Sequence, residues 1–345
     1  MTKKLFRITL DTNPEDCNLH CIMCEEHSEY SNFIPNLKKE TGISKRRMPI
    51  EWIESIFLQA KEIGVTEIIP STMGEPLLYS GVEEIISLCN KYSIHLNLTT
   101  NGTFPKKKIE DWSKLLIPIC SDIKISWNGA NTNTSEKIMR GISFSKSLLN
   151  LKRLIEYRDK YFKINSYYCR ITLQLTFLKN NMHELSDIIK LAASLGVDRV
   201  KGHHLWAHFS EIKHLSMKAS PENIAKWNQY VKEAHEAIRI HKKPDGGTIL
   251  LENFFFLDSN QSNSIPESYE CPFLEKELWI SPTGKISPCC APDQERQKLG
   301  DFGTIQIQSL LEVLESETYK NLVANYKSNS LCQSCNMRKP NKNEK

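Results

Sequence analysis

The 345-residue chain contains no apolar run long enough to cross a bilayer as a helix, and no membrane contact is expected. Its first residues, M-T-K-K-L-F-R-I-T-L-D, lack the apolar core and cleavage site of a signal peptide, so the default expectation is a cytoplasmic location. Strong charge is missing too: the net value is +4, too small to call for nucleic acid. The basic clusters at 45–47 (K-R-R) and 106–108 (K-K-K) and the terminal K-P-N-K-N-E-K read as solvated faces or tails, with RNA binding as a minority reading. No internal repeat is evident. Hydrophobic content of 40% and charged content of 25% are those of an ordinary globular chain. One residue type is plentiful: eleven cysteines that, without a secretory signal, argue for metal or redox chemistry over disulfides.

Three of them, Cys17, Cys21 and Cys24, lie in the run C-N-L-H-C-I-M-C, with no further cysteine until Cys89. Four thiolates close a cubane iron–sulfur cluster, whereas three leave one iron open, and an open metal position usually serves chemistry. The apolar stretch at residues 5–10 reads as a strand, so the cysteines belong on a loop beyond its C-terminal end, where α/β sheets and barrels place their sites. A zinc loop or incidental thiols is the competing reading.

Strand-like runs recur at residues 6–11, 67–71, 95–99, 122–127, 169–177 and 199–205. Helical patterns occupy 50–63, 82–92, 109–116, 135–157, 182–195 and 221–240. About six β/α units predict parallel strands joined by right-handed crossovers, a count that suits a partial barrel better than a closed one of eight strands. The fold class is therefore α/β: a (β/α)6 partial TIM barrel at residues 1–243, a bridge at 244–270, and a small β-hairpin-plus-helix domain at 271–345. The bridge opens on Pro244, Asp245, Gly246 and Gly247 and contains a polar S-N-Q-S-N-S run. Residues 25–48 are long for a βα loop, so they are expected to cover the site or touch substrate.

The C-terminal part carries Cys271, Cys289, Cys290, Cys332 and Cys335. Between the first two lies L-W-I-S-P-T-G-K-I-S-P, which reads as a hairpin turning at Gly284. A hairpin with a cysteine at each end, plus a C-x2-C turn, supplies four ligands to one point, and zinc and iron–sulfur clusters both accept them.

The two cysteine patterns together resemble the radical S-adenosylmethionine (SAM) superfamily with a C-terminal auxiliary-cluster module, SPASM or its shortened twitch form. That resemblance implies two [4Fe–4S] clusters and SAM as cofactors. Cys17, Cys21 and Cys24 would hold the SAM-binding cluster, and Cys271, Cys289, Cys332 and Cys335 the auxiliary one. Cys290 would be a spare thiol: an alternative ligand, a hydrogen donor, or packing. M-G-E-P resembles the family's G-G-E-P motif, with Met73 in place of the first glycine. Glycine there lets a ligand approach the backbone, and the Glu75 carboxylate beside Gly74 suits an ammonium group. T-N-G at Asn101 is a plain turn signal as well as a point of ligand contact in relatives. In I-S-W-N-G, Ser126 matches a SAM-contacting serine and Asn128 replaces the usual aspartate; alternation puts Lys124, Ser126 and Asn128 on one face. Arg140, in I-M-R-G, is a candidate carboxylate partner, and Gln174 is a polar residue inside an apolar strand that needs a partner. The segment K-G-H-H-L-W-A-H places His203, His204, Trp206 and His208 near the mouth, as candidate substrate contacts. Cys89, Cys120 and Cys169 read as buried core thiols.

The expected activity is reductive SAM cleavage and hydrogen abstraction from a small natural product or peptide, ending in net oxidation with the auxiliary cluster as electron acceptor. Redox-neutral epimerisation with a cysteine as hydrogen donor and peptide maturation are the alternatives; a zinc-stabilised binding protein is the non-enzyme reading. The first strand begins at about residue 5, which tilts the expectation toward a small substrate, unless a separate partner protein presents a peptide. An external donor such as flavodoxin or ferredoxin would supply the electron.

Overall fold

The computed structural model describes residues 5–258, 265–291, 293–335 and 337–340; the polar run at 259–264 and most of the basic tail lie outside the described residues. Six parallel strands follow one another in chain order: β1 (Arg7–Leu10), β2 (Glu67–Ile69), β3 (His95–Thr100), β4 (Cys120–Ser126), β5 (Arg170–Phe177) and β6 (Arg199–His204). The main helices between and after them are α1 (Ile50–Glu62), α2 (Val82–Tyr92), α3 (Ile109–Leu116), α4 (Phe144–Asn165), α5 (Leu185–Leu195) and α6 (Pro221–Ile240). Strand β5 illustrates the local logic. Ile171, Leu173, Leu175 and Phe177 alternate with Thr172, Gln174 and Thr176, so the apolar set packs under the helices and the polar set faces the barrel interior. Helix α6 starts where Ser220 Oγ accepts the Asn223 N–H at 3.2 Å and Pro221 needs no backbone donor, and it buries Trp227 completely. No described helix is long and apolar enough to cross a membrane.

The sheet is wider than six strands. Within 244–270 lies β7 (Leu250–Glu252), parallel to β6. The hairpin of the C-terminal part, β8 (Glu277–Ile280) and β9 (Ile286–Ser287), joins the other edge: β8 pairs parallel with β1, Arg7 opposite Glu277. The nine-stranded order is β9-β8-β1-β2-β3-β4-β5-β6-β7, so both cysteine groups ride on one continuous sheet. A three-residue strand is too short to show a period in sequence, which is why β7 read as bridge.

The helix expected over 135–157 is divided. Thr132–Ile138 ends, Met139–Arg140 pairs antiparallel with His20–Cys21, Gly141 turns at φ +92°, and α4 follows. This interruption anchors the cysteine loop: Ile22 N–H donates to Ile138 O at 3.0 Å. Leu19, Ile22, Ile138, Met139 and Leu205 form a small separate core beneath it.

The barrel floor is a polar network linking the strands. Arg7 reaches Glu67 at 2.6 Å and Glu277 at 3.4 Å. Asn97 donates to Glu67 at 3.0 Å, and Thr9 to Glu277 at 3.0 Å. Arg199 pairs with Asp122 and reaches Glu252 at 2.7 Å. Lys124 lies buried in this layer, and desolvation lowers its ammonium to about 8.

Candidate metal and cofactor site

The cysteine loop is tied to the end of β2 by hydrogen bonds that leave little slack. Thr12 Oγ1 donates to Pro70 O at 2.7 Å, Asn13 Nδ2 to Glu75 O at 3.0 Å, and Glu75 N–H to Asp16 O at 2.7 Å. Gly74 sits in this clamp at φ +74°; a Cβ there would lie 2.3 Å from Asn13 O and 2.9 Å from Asp16 O. Here glycine is required twice over, for the dihedral and for the space.

Cys17, Cys21 and Cys24 open onto one cavity of about 220 Å³, together with Met73, Gly74, Ser126, Asn128, Gln174 and His203. Backbone donors already point at two of the sulfurs: Leu19 N–H to Cys17 Sγ at 3.5 Å and His27 N–H to Cys24 Sγ at 3.4 Å. Burial raises all three thiols, Cys24 to about 12, and neighbouring cysteines add repulsion at Cys21 and Cys24. Three clustered thiols of this kind ionise readily only against a positively charged metal centre. Among the described residues no three His, Cys, Asp or Glu side chains converge at single-ion distance; the thiols face a shared space instead. The donor set fits an iron–sulfur cluster with one position left to a ligand in the cavity.

Glu75 departs from its expected use. Its carboxylate is fully buried, turned away from the cavity, and accepts Leu77 N–H at 3.2 Å, Thr100 Oγ1–H at 2.8 Å and Asn101 N–H at 2.7 Å. Desolvation lifts it to about 7. It braces the β2 and β3 ends against each other, and the backbone around Gly74 is what faces the cavity. Asn101 also lines the cavity, donating to Asn18 Oδ1 at 2.9 Å and to Cys17 Sγ at 3.9 Å. Ser126 and Gln174 stand opposite each other in register. Asn128 is braced: its Oδ1 accepts the Thr176 N–H at 2.8 Å.

Arg140 lies outside this cavity. Its guanidinium pairs with Glu29 on the outer side of the cysteine loop, because Met139–Arg140 forms the ladder with His20–Cys21 and directs it there. The two histidines of β6 point to opposite faces. His203 faces the cavity, where surrounding protein lowers its imidazole to about 4. His204 instead packs against Phe177 and Trp227, with ring centroids 5.4 and 4.7 Å away, and lines no described cavity at the site. Strand alternation is the reason: adjacent residues cannot share a face.

A second cavity, about 390 Å³, shares Thr72, Met73, Gln174 and His203 with the first and extends to Cys290 and Cys335. Glu25, Glu26 and Phe33 of the long 25–48 segment wall it on one side; Lys201, Trp206 and His208 lie along β6 and beyond. Burial, with added repulsion from Asp11 and Glu15, pushes the Glu26 carboxyl up to about 9. Sequence reasoning missed Asp11, Lys201 and Arg296 as lining residues. The signal was there for Lys201, which sits two residues before His203 on the same strand face.

In the C-terminal group, Cys289 and Cys290 follow β9, Cys332 lies in the helix Ser330–Gln333, and Cys335 comes just after it. Cys271, Cys289, Cys332 and Cys335 all lie within one another's fields. Leu274 N–H donates to Cys271 Sγ and Ala291 N–H to Cys289 Sγ, both at 3.4 Å. The Cys290 thiol donates to Cys289, which lowers Cys289 and raises Cys290. Arg338 ties this turn to the preceding loop, donating to Cys332 O at 3.2 Å and Tyr269 O at 2.8 Å, a role no pattern in the sequence announces.

A family model described as the radical SAM superfamily matches residues 14–192. A second, described as the iron–sulfur cluster-binding domain SPASM, matches residues 271–336. A probable GTP 3′,8-cyclase of Thermococcus kodakarensis is 24% identical over 184 residues, 53% of this chain and 52% of that protein. One from Pyrococcus abyssi is 32% identical over 89 residues, 26% of this chain and 25% of that protein. The chain thus spans about half, or less, of the length of the curated relatives it matches. Among solved structures, Streptococcus suis SuiB bound to S-adenosylmethionine aligns with TM-score 0.68 at 17% identity, covering 97% of this chain and 71% of SuiB. SuiB bound to its precursor peptide SuiA gives 0.65 at 17% identity, with coverages of 97% and 70%. BtrN in complex with AdoMet and 2-DOIA gives 0.50 at 14% identity, with coverages of 97% and 94%. Likeness at these identities is likeness of fold.

Proposed function

The chain belongs to the radical SAM superfamily and carries a SPASM domain, and from that premise we propose that it oxidises a substrate held between its two cysteine groups. The observation that carries this reading is the pair of adjoining cavities. Met73, Gln174 and His203 line both, and the larger one ends at Cys290 and Cys335. [4Fe–4S] clusters and SAM are the cofactors, and when bound they supply a 5′-deoxyadenosyl radical at the first cavity and an electron acceptor at the second.

In this reading Cys17, Cys21 and Cys24 are the ligands of the SAM-binding cluster, and Cys271, Cys289, Cys332 and Cys335 those of the auxiliary one. The backbone at Met73–Gly74 and the side chains of Ser126, Asn128 and Gln174 bind and orient SAM. Phe33 and Trp206 limit water at the substrate. That cofactor chemistry would take one hydrogen atom, one electron and one proton from the substrate. His203, which burial lowers to about 4 and so keeps neutral, lines both cavities and orients the substrate by a hydrogen bond; an imidazole lowered this far is not the base that takes the proton. A flavodoxin- or ferredoxin-type donor in the cytoplasm supplies the initiating electron. SuiB binds a precursor peptide and BtrN binds 2-DOIA, so this fold accommodates a peptide and a small molecule alike.

A second reading has its own observation. Cys290 faces the same cavity, where a thiol can return hydrogen to the opposite face of a substrate radical, giving epimerisation. One experiment addresses both. In the oxidase reading, Cys332→Ala with Cys335→Ala leaves 5′-deoxyadenosine formation but abolishes oxidised product, and Cys290→Ala leaves product intact. Loss of product in Cys290→Ala alone, with 5′-deoxyadenosine still formed, supports the epimerase; full product without the auxiliary cysteines overturns the oxidase.

A further inference from the structure

One wall of the larger cavity is built from carboxyl side chains. Asp11, Glu25 and Glu26 line it together with Phe33, Trp206 and His208, and Arg46 lies over the Phe33 ring at 5.6 Å. The cations that line it, Lys201 and Arg296, come from other segments, and Lys201 is paired with Glu252 at 3.2 Å. Asp11 is partly engaged by the Thr72 and Met73 N–H groups, at 3.2 and 3.4 Å. Glu26 is different. It is only 7% exposed, and its Oε2 has no hydrogen-bond partner among the described residues. Its other oxygen lies 3.9 Å from Arg46, a guanidinium that donates to Glu15 at 2.8 Å. A buried carboxyl oxygen without a donor, on a residue that lines a cavity, carries a desolvation cost that a ligand donor removes.

We propose that this wall receives a cationic substituent of the substrate, an alkylammonium or guanidinium group, so that the substrate is an amine-bearing one. The inference rests on the reading that this cavity holds substrate. The same chemistry comes from a lysine or arginine side chain of a peptide or from an amino group of a small natural product.

The test uses the full chain, anaerobically reconstituted and SAM-bound, in calorimetric titrations with matched probes. Nα-acetyl-lysine methylamide is compared with its neutral isostere Nα-acetyl-norleucine methylamide, and cyclohexylamine with cyclohexanol. The cationic member of at least one pair should bind about tenfold tighter, and Glu26→Gln should remove most of that preference. A preference confined to the lysine pair indicates a peptide, and one confined to the cyclohexyl pair a small amine. Glu25→Gln is a second variant, expected to weaken the preference several-fold, and because Glu25 and Glu26 both follow Cys24 directly in the chain the iron content of each variant is measured alongside. Equal binding of neutral and cationic probes, no binding of either amine, or a preference that survives both substitutions overturns the proposal. Iron content and 5′-deoxyadenosine formation in the same preparations report on the underlying radical reading, so its failure is seen separately.

Discussion

The Asn101 backbone N–H donates to Glu75 Oε2 at 2.7 Å, so the end of β3 is fastened to the loop that follows β2 by a carboxylate no solvent reaches. Replacing Glu75 by Gln keeps the shape but turns an amide N–H₂ toward a backbone donor. Leaving a buried donor unsatisfied costs about 1–3 kcal/mol. The penalty depends on pH. Burial raises the folded carboxyl to about 7, above the ordinary glutamate value, so between those two values the folded state binds more protons than the unfolded one. Wild-type stability from this group is therefore complete below the unfolded value and is lost as pH rises through about 7. Urea unfolding of the two proteins should show the wild-type advantage shrinking across that window; a constant gap would contradict it.

Gly74→Ala should be far more damaging to the site than to the fold. The added Cβ meets carbonyl oxygens of Asn13, Asp16 and Pro14 at 2.3, 2.9 and 2.9 Å, all backbone atoms of the cysteine loop. We expect unchanged far-ultraviolet circular dichroism with at least about a tenfold loss of SAM affinity, which is about 1.4 kcal/mol. Native affinity by equilibrium dialysis would show that the loop has more slack than its hydrogen bonds indicate.

Asn101→Ala removes an N–H donor aimed at Cys17 Sγ and the bond to Asn18. Hydrogen bonds to cluster sulfur favour the reduced form, so the SAM-binding cluster of the variant should have a more negative midpoint potential in a spectroscopic redox titration. An unchanged or more positive potential would assign Asn101 to turn geometry alone.

Arg158 is a purely structural counterpart. It is 2% exposed and reaches Asp198 at 2.6 Å and Gly196 O at 2.9 Å, joining α4 to the turn before β6. Arg158→Ala takes from the Asp198 carboxylate one of its two cations, Lys243 Nζ remaining at 3.2 Å, and a loss of about 1–3 kcal/mol is expected. Chemical denaturation should show that loss while the iron content of the surviving folded protein stays at the wild-type level.

The parts of this molecule that were legible in sequence are those whose signal is local. The alternation in β5 marks both the strand and the inward face of Gln174. The spacing of Cys17, Cys21 and Cys24 is local for the same reason, since one loop must deliver all three sulfurs. What was hidden depends on residues far apart. Arg7 meets Glu277 across 270 positions, and nothing near either one announces the polar barrel floor. The direction of a side chain was also hidden where a motif specifies backbone: G-E-P identified the loop, but Glu75 turns inward to Asn101. His204 was grouped with His203 by adjacency, and the pleat separates them. Arg140 was drawn away from the cavity by the ladder between Met139–Arg140 and His20–Cys21, a pairing of two residues on each side that leaves no periodic trace.

The most direct test of the account is iron and sulfide content after anaerobic purification and reconstitution, with the Cys17→Ala, Cys21→Ala, Cys24→Ala triple variant beside the wild type. Two cubane clusters predict about eight irons per chain, falling to about four in the variant, which keeps the auxiliary set. Little iron with tightly bound zinc in the wild type would contradict it.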